Sequence, residues 1–195
     1  GVSGLLTARV GTAPFTMSLD GYDAGSVVAR LAEARAKNVA VLMNLTGGNH
    51  NNYITNGAFD LAKWQAKVAT YGSSAVKAAI AGGVANGTIV GASVMDEPQN
   101  TTPGKSWGGV MTKDLVDQMC VYAKSIFPTM PVGVVHDHRG FEPDKDYQHC
   151  DFILSQYRLS KGTIEAFRDG GLAFAKRSGI AIAFSLNVLH GGVAG

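Results

Sequence analysis

The stretch Ile89-Val90-Gly91-Ala92-Ser93-Val94-Met95-Asp96-Glu97-Pro98 reads as a strand that runs into two carboxylates and a proline. Gly91, Ser93 and Glu97 fall on one face of such a strand, and Val90, Ala92 and Val94 on the other, because alternate residues of an extended chain point to opposite sides. The same opposition recurs at both ends of the chain. Thr16, Ser18 and Asp20 oppose Phe15, Met17 and Leu19. Near the end, Ala181, Ala183, Ser185 and Asn187 oppose Ile182, Phe184 and Leu186. A small, polar face set against a bulky, apolar one predicts a narrow curved sheet with helices packed outside it.

Outward from residues 89–98, strands and alanine-rich segments of helical period alternate. Strands are expected at Phe15–Asp20, Val39–Asn44, Ile89–Asp96, Val132–His136, Phe152–Gln156 and Ile180–Asn187. Helices are expected at Ala24–Lys37, Asp60–Tyr71, Ser74–Ala81, Lys113–Ile126 and Thr163–Ser178. In the first helix Val27, Val28, Leu31 and Ala34 share a stripe opposite Arg30, Glu33 and Lys37. Pro128 and Pro131 stop the fourth helix before its strand. The alternation predicts βα units around a parallel sheet, a (β/α) TIM-type barrel in a single domain over residues 1–195. Six strands, with Gly4–Val10 as a possible seventh, fall short of an eight-fold barrel, which takes about 250 residues. The expectation is therefore an incomplete barrel lacking a C-terminal portion, with an open six- or seven-stranded sheet as the alternative.

Composition narrows the function classes. The 195 residues carry 17 Lys+Arg and 15 Asp+Glu, a net charge of +2, with the cations scattered rather than striped, so no run of phosphates would be neutralised and nucleic acid is not expected as a partner. No apolar stretch reaches the roughly 18 residues of a bilayer crossing, so no membrane partner is expected; a secreted protein whose leader had been removed would read the same way. Oligomeric state is not legible. Cys120 and Cys150 fit no metal-ligand spacing; two buried thiols is the favoured reading and a disulfide in an oxidising compartment the alternative. Gly47-Gly48 opens no phosphate loop and no Gly-x-Gly-x-x-Gly precedes the first helix, so no nucleotide cofactor is expected. No Gly-x-Ser-x-Gly elbow joins a strand to a helix.

Polar strand ends indicate where chemistry would sit. If the polar face turns inward, the last inward residues are Asp20, Asn44, Glu97, His136 and Asn187, with Gln156 and Tyr157 competing on the fifth strand. Pro98 should keep Glu97 extended at the barrel mouth, where partial burial beside Asp96 would raise its pKa and suit it to general acid work. The loops Thr46–Phe59 and Asn100–Thr112, which follow strands, are rich in Gly, Asn and hydroxyls. They add His50 and Trp107, an amide-like donor and a flat ring suited to sugar hydroxyls and pyranose faces. Trp64 is expected to pack its helix against the sheet. A rival chemistry comes from His136-Asp137-His138: two histidines on one side of an extended backbone could share a divalent metal with Asp96, Glu97 or His50, as in a metal-dependent barrel hydrolase or isomerase.

Asp96-Glu97-Pro98 at a strand end resembles the Asn-Glu-Pro acid/base motif of the (β/α)8 glycoside hydrolases of the large retaining clan, with Asp in place of Asn. The resemblance covers one strand closely and otherwise only the alternating βα order. It implies a glycosidase without a cofactor, acting on an oligo- or polysaccharide, with Glu97 as proton donor and Asp96 as its partner. Asp20, Asn44, His50, Trp107, His136, Gln156, Tyr157 and Asn187 would line the substrate cleft. The clan's nucleophile is a Glu on a later strand, and the last strand here ends at Asn187; a barrel that binds glycans without turnover is thus a further reading.

Overall fold

The computed structural model describes residues 2–3, 16–47, 49–101, 106–109 and 111–186. Strands β1 (Val2–Ser3), β2 (Met17–Asp20) and β3 (Ala40–Asn44) come first. A hairpin of β4 (Ile54–Thr55) and β5 (Ala58–Phe59) is followed by β6 (Ile89–Asp96), β7 (Val132–Val135), β8 (Phe152–Tyr157) and β9 (Ala181–Leu186). Helices α1 (Val27–Ala36), α2 (Leu61–Ala69), α3 (Ser74–Ala85), α4 (Lys113–Ile126) and α5 (Ile164–Ser178) separate them. The main sheet is parallel throughout, in the order β1-β2-β3-β6-β7-β8-β9. Strand order follows chain order without reversal, so right-handed crossovers stack the helices on one face.

The (β/α) TIM-type barrel is corrected by this topology. Among the described residues the sheet is an open half-barrel of six substantial strands and the two-residue β1, with five α-helices, so it is not a full eight-fold barrel. The proposed strand at Gly4–Val10 lies outside the described residues, as does Asn187.

Most elements form for local reasons. Side chains cap four helices: Asp60, Ser73, Thr112 and Thr163 accept from the backbone N–H of Lys63, Val76, Leu115 and Ala166. Helix α5 ends on Gly179 at φ +67°. Helix α3 runs four residues beyond its expected end, because Gly83 lets it lie against Ile89: a Cβ there would come within 2.9 Å of the Ile89 side chain.

The helix-facing side of the sheet holds the principal core. Val41, Met43, Ala92, Val94, Val132, Val134 and Ile153 pack with Leu31, Trp64, Ile80, Val116, Met119 and Phe174. Trp64 is fully buried and its indole donates to the Val94 carbonyl at 3.0 Å, tying α2 to the sheet as expected. The concave side is less polar than its strand parity promised. Leu42, Val135, Phe152 and Leu154 form a second apolar cluster there, with Leu19 against it. Gly91 and Gly133 make room for the Phe152 ring; a Cβ on Gly133 would lie 2.7 Å from that ring and 2.1 Å from the Phe152 carbonyl.

Candidate functional site

Register decides which strand-end residues face the concave side, since paired residues of a parallel ladder share a face. Ser18 pairs with Val41 and Asp20 with Met43, both on the helix face, while Leu19 pairs with Leu42 on the concave face. The assignment of Asp20 to the cleft is corrected: alternation alone does not tell which of two faces is inner. Asn44 pairs with Ser93 and does face the cleft, but its Oδ1 is occupied by the Thr46 backbone N–H at 3.0 Å and hydroxyl at 2.6 Å. On the fifth substantial strand, Gln156 pairs with Ser185 and shares the face of Phe152 and Leu154. Tyr157 pairs with Leu186 on the other face and donates its hydroxyl to the Gly162 carbonyl. The choice between Gln156 and Tyr157 therefore falls on Gln156.

At the two carboxylates the local rule fails through a bulge. Ser93 pairs with Gly133, yet Asp96 pairs with Val135, so β6 spends one residue more than β7 over this step. The Ser93 hydroxyl donates to the Met95 carbonyl at 2.8 Å within the bulge. Parity inverts beyond it: Met95 joins the helix-side core and Asp96 falls on the concave face beside Val135. Glu97 leaves the strand at φ +47°, in the left-handed region rather than the extended one its proline neighbour favours.

The two carboxyls consequently have unlike surroundings. Asp96 Oδ1 is enclosed and has no hydrogen-bond partner among the described residues. Burial, reinforced by the neighbouring Glu97 charge, pushes the Asp96 carboxyl up to about 6. Glu97 reaches Arg158, just past β8, at 3.3 Å, and accepts from the Asn100 amide at 3.3 Å. Its backbone N–H donates to the Val135 carbonyl at 2.7 Å. The carboxyl that burial raises is thus that of Asp96. Arg158, absent from the sequence-derived site, could have been suspected only from its position one residue beyond a strand end.

The two long loops meet around Trp107. Its ring lies 6.1 Å from Tyr53, 5.7 Å from His50 and 6.2 Å from Phe59, and its indole donates to the Asp96 carbonyl at 2.6 Å. Trp107 is 4% exposed. Its expected role as a sugar-stacking platform is corrected: the ring is spent on packing the rim and holding the Asp96 backbone. His50 lies at that same rim.

His136 is also corrected as a cleft residue. It follows Val134 on the helix face, fully buried, with Nδ1 2.7 Å from the Asp137 carbonyl and Nε2 2.9 Å from the Tyr147 hydroxyl. Burial holds its pKa down at about 4. His138 turns to another pocket, against Phe167 and the Ser155 hydroxyl. The two rings that were to share a metal therefore sit in different surroundings. Among the described residues no group of three His, Cys, Asp or Glu side chains could hold a metal ion. Asp137 is claimed by Arg139 at 3.2 Å and Lys161 at 2.7 Å, which hold its carboxyl well below the usual range despite burial.

No protein-family model and no curated protein matches this chain.

Proposed function

We propose that the protein hydrolyses glycosidic bonds in an oligo- or polysaccharide, with Asp96 and Glu97 as its carboxyl pair. The observation that carries the reading is their unequal environment at the C-terminal end of one strand. Acid catalysis of glycoside cleavage requires one group that holds a proton and another that steadies charge. Asp96, pushed up to about 6, suits the donor of a proton to the leaving oxygen. Glu97, held by Arg158 and Asn100, suits the carboxylate that steadies positive charge at the sugar carbon. The roles implied by the resemblance to the Asn-Glu-Pro clan are thereby exchanged. Gln156 and Ser185 on the same face offer polar groups to hydroxyls.

Reducing ends released from a panel of polysaccharides by wild type, Asp96→Asn and Glu97→Gln test this. Both variants are expected to lose at least about a hundredfold in rate, the usual worth of a general acid or a charge partner. The wild-type rate should fall as pH rises through about 6, because the donor must be protonated, and Asp96→Asn should lack that limb. Unchanged turnover in both variants would overturn the proposal. Saturable glycan binding by wild type without turnover would instead favour a non-catalytic glycan-binding protein.

A further inference from the structure

A cavity of about 380 Å³ opens on the helix side between α5 and the segment following β7. It is lined by His138, Arg139, Pro143, Gly170, Phe174 and Arg177 among others. His138 is 3% exposed, and its Nε2 has no hydrogen-bond partner among the described residues. The fully buried Ser155 hydroxyl accepts from the His138 backbone N–H at 3.3 Å and lies 3.0 Å from Nδ1. The hydroxyl keeps a second lone pair and can serve Nδ1 as donor or acceptor; when it donates, the ring N–H sits on Nε2, the tautomer that an oxyanion in the cavity would select. A buried ring nitrogen without a hydrogen-bond partner is costly, so its persistence calls for one.

The cavity supplies positive charge around that nitrogen. The Arg139 guanidinium lies 5.0 Å over the Phe167 ring and that of Arg177 5.4 Å over Phe174, so both planes are positioned before any ligand arrives. Arg139 meets Asp137 through Nε at 3.2 Å and Nη2 at 3.3 Å, and its Nη1 donates to the Lys161 carbonyl at 2.9 Å. Asp137, the partner of Arg139, is shared with Lys161, which leaves a surplus positive charge. Arg177 donates to the Pro143 carbonyl at 2.8 Å and stands 3.7 Å from Asp146, whose carboxylate already accepts from Ser178. Gly170 leaves the approach to Nε2 open: a Cβ there would stand 3.2 Å from that nitrogen.

From the orphaned Nε2, the two ring-backed guanidiniums and the cavity they line we infer a binding site for a small oxyanion, a phosphate group free or carried on a small organic molecule. The volume is within the range of small-molecule sites and exceeds what one ion needs. This site is independent of the Asp96–Glu97 cleft and stands or falls without it.

Titration of the full chain with inorganic phosphate, followed through the imidazole ¹⁵N resonances, tests the inference. The expected result is a saturable shift of His138 Nε2, weakened by about tenfold or more in Arg177→Gln through loss of a charge-assisted hydrogen bond. Gly170→Ala, a change that helices favour, should weaken it comparably by crowding Nε2 while leaving the fold intact. Tighter binding of glycerol phosphate than of inorganic phosphate would identify an organic phosphate as occupant, and equal binding a free ion; both uphold the site. Absence of a saturable shift up to about 50 mM, an equal shift with sodium chloride, or wild-type affinity in both variants would overturn it.

Discussion

Asp96 carries the largest consequence for a single side chain. Its carboxyl is raised from the ordinary 3.8 to about 6, so the unfolded chain gives up the proton before the folded one does. For an acid shifted upward, folding is favoured below the unfolded value and penalised above the folded one. Asp96→Asn, which removes the charge and keeps the shape, is therefore expected to stabilise the protein at pH 7.5 by about 1–3 kcal/mol. At pH 3.5, below the unfolded value, most of the gain should be lost. Thermal melts of the two proteins at both pH values check this, and an equal difference at the two values would contradict it. The sign matters for the proposed chemistry, because a carboxyl kept neutral at a cost in stability is a mark of functional placement. Glu97, a non-glycine residue held at φ +47° beside it, is a second local departure from the favoured state. Neither departure is legible in Val94-Met95-Asp96-Glu97-Pro98: alternation read along the strand puts Asp96 on the outer face, and only the longer path of β6 against β7 brings it to the concave one.

Strand β8 and its neighbours show why the concave face departed from its expected polarity. Phe152 looked like one more apolar residue of a buried strand, but its ring lies over Gly91 and Gly133 of the two preceding strands. Large and small residues interlock across three strands, a fit that alternation along any one strand does not reveal. Gly133→Ala is predicted to destabilise by at least about 2 kcal/mol, because its methyl meets both the ring and the backbone of Phe152. Gly82→Ala, in the exposed α3 position where a Cβ meets nothing within 4 Å, should be neutral or stabilising. Denaturant midpoints of the two variants separate these outcomes. Helices were better foretold than faces: α4 has the bounds its sequence implied, since a Thr112 cap and the stop imposed by Pro128 act within a few residues.

Across the whole molecule, a disulfide joins α4 to the segment before β8. Cys120 and Cys150 are bonded, against the favoured expectation of two free thiols. The bridge closes a separation of 30 residues. Asp117 reinforces the same junction by accepting from the backbone N–H groups of Gln148, His149 and Cys150. Cross-linking a loop of this length is worth about 3–4 kcal/mol by the chain-entropy account, so reduction, or Cys120→Ala with Cys150→Ala, should lower the melting temperature by several degrees. Equal melting temperatures with and without reductant would refute it. Two cysteines separated along the chain carry no sign of pairing, since bonding depends on α4 and the following loop being brought together by β7. The order of the six main-sheet strands and five helices, their approximate bounds and the parallel βα layout were legible in residues 16–186, because propensity, period and capping are short-range, whereas the hairpin of β4 and β5 fell in a stretch read as loop. Whether the sheet closed, which face Asp96 took, and which of Trp107, His136 and Asp20 belonged to the concave side depended on pairing register and packing between elements far apart in the chain. Those contacts have no local signature, and they could be read only once the strands lay side by side.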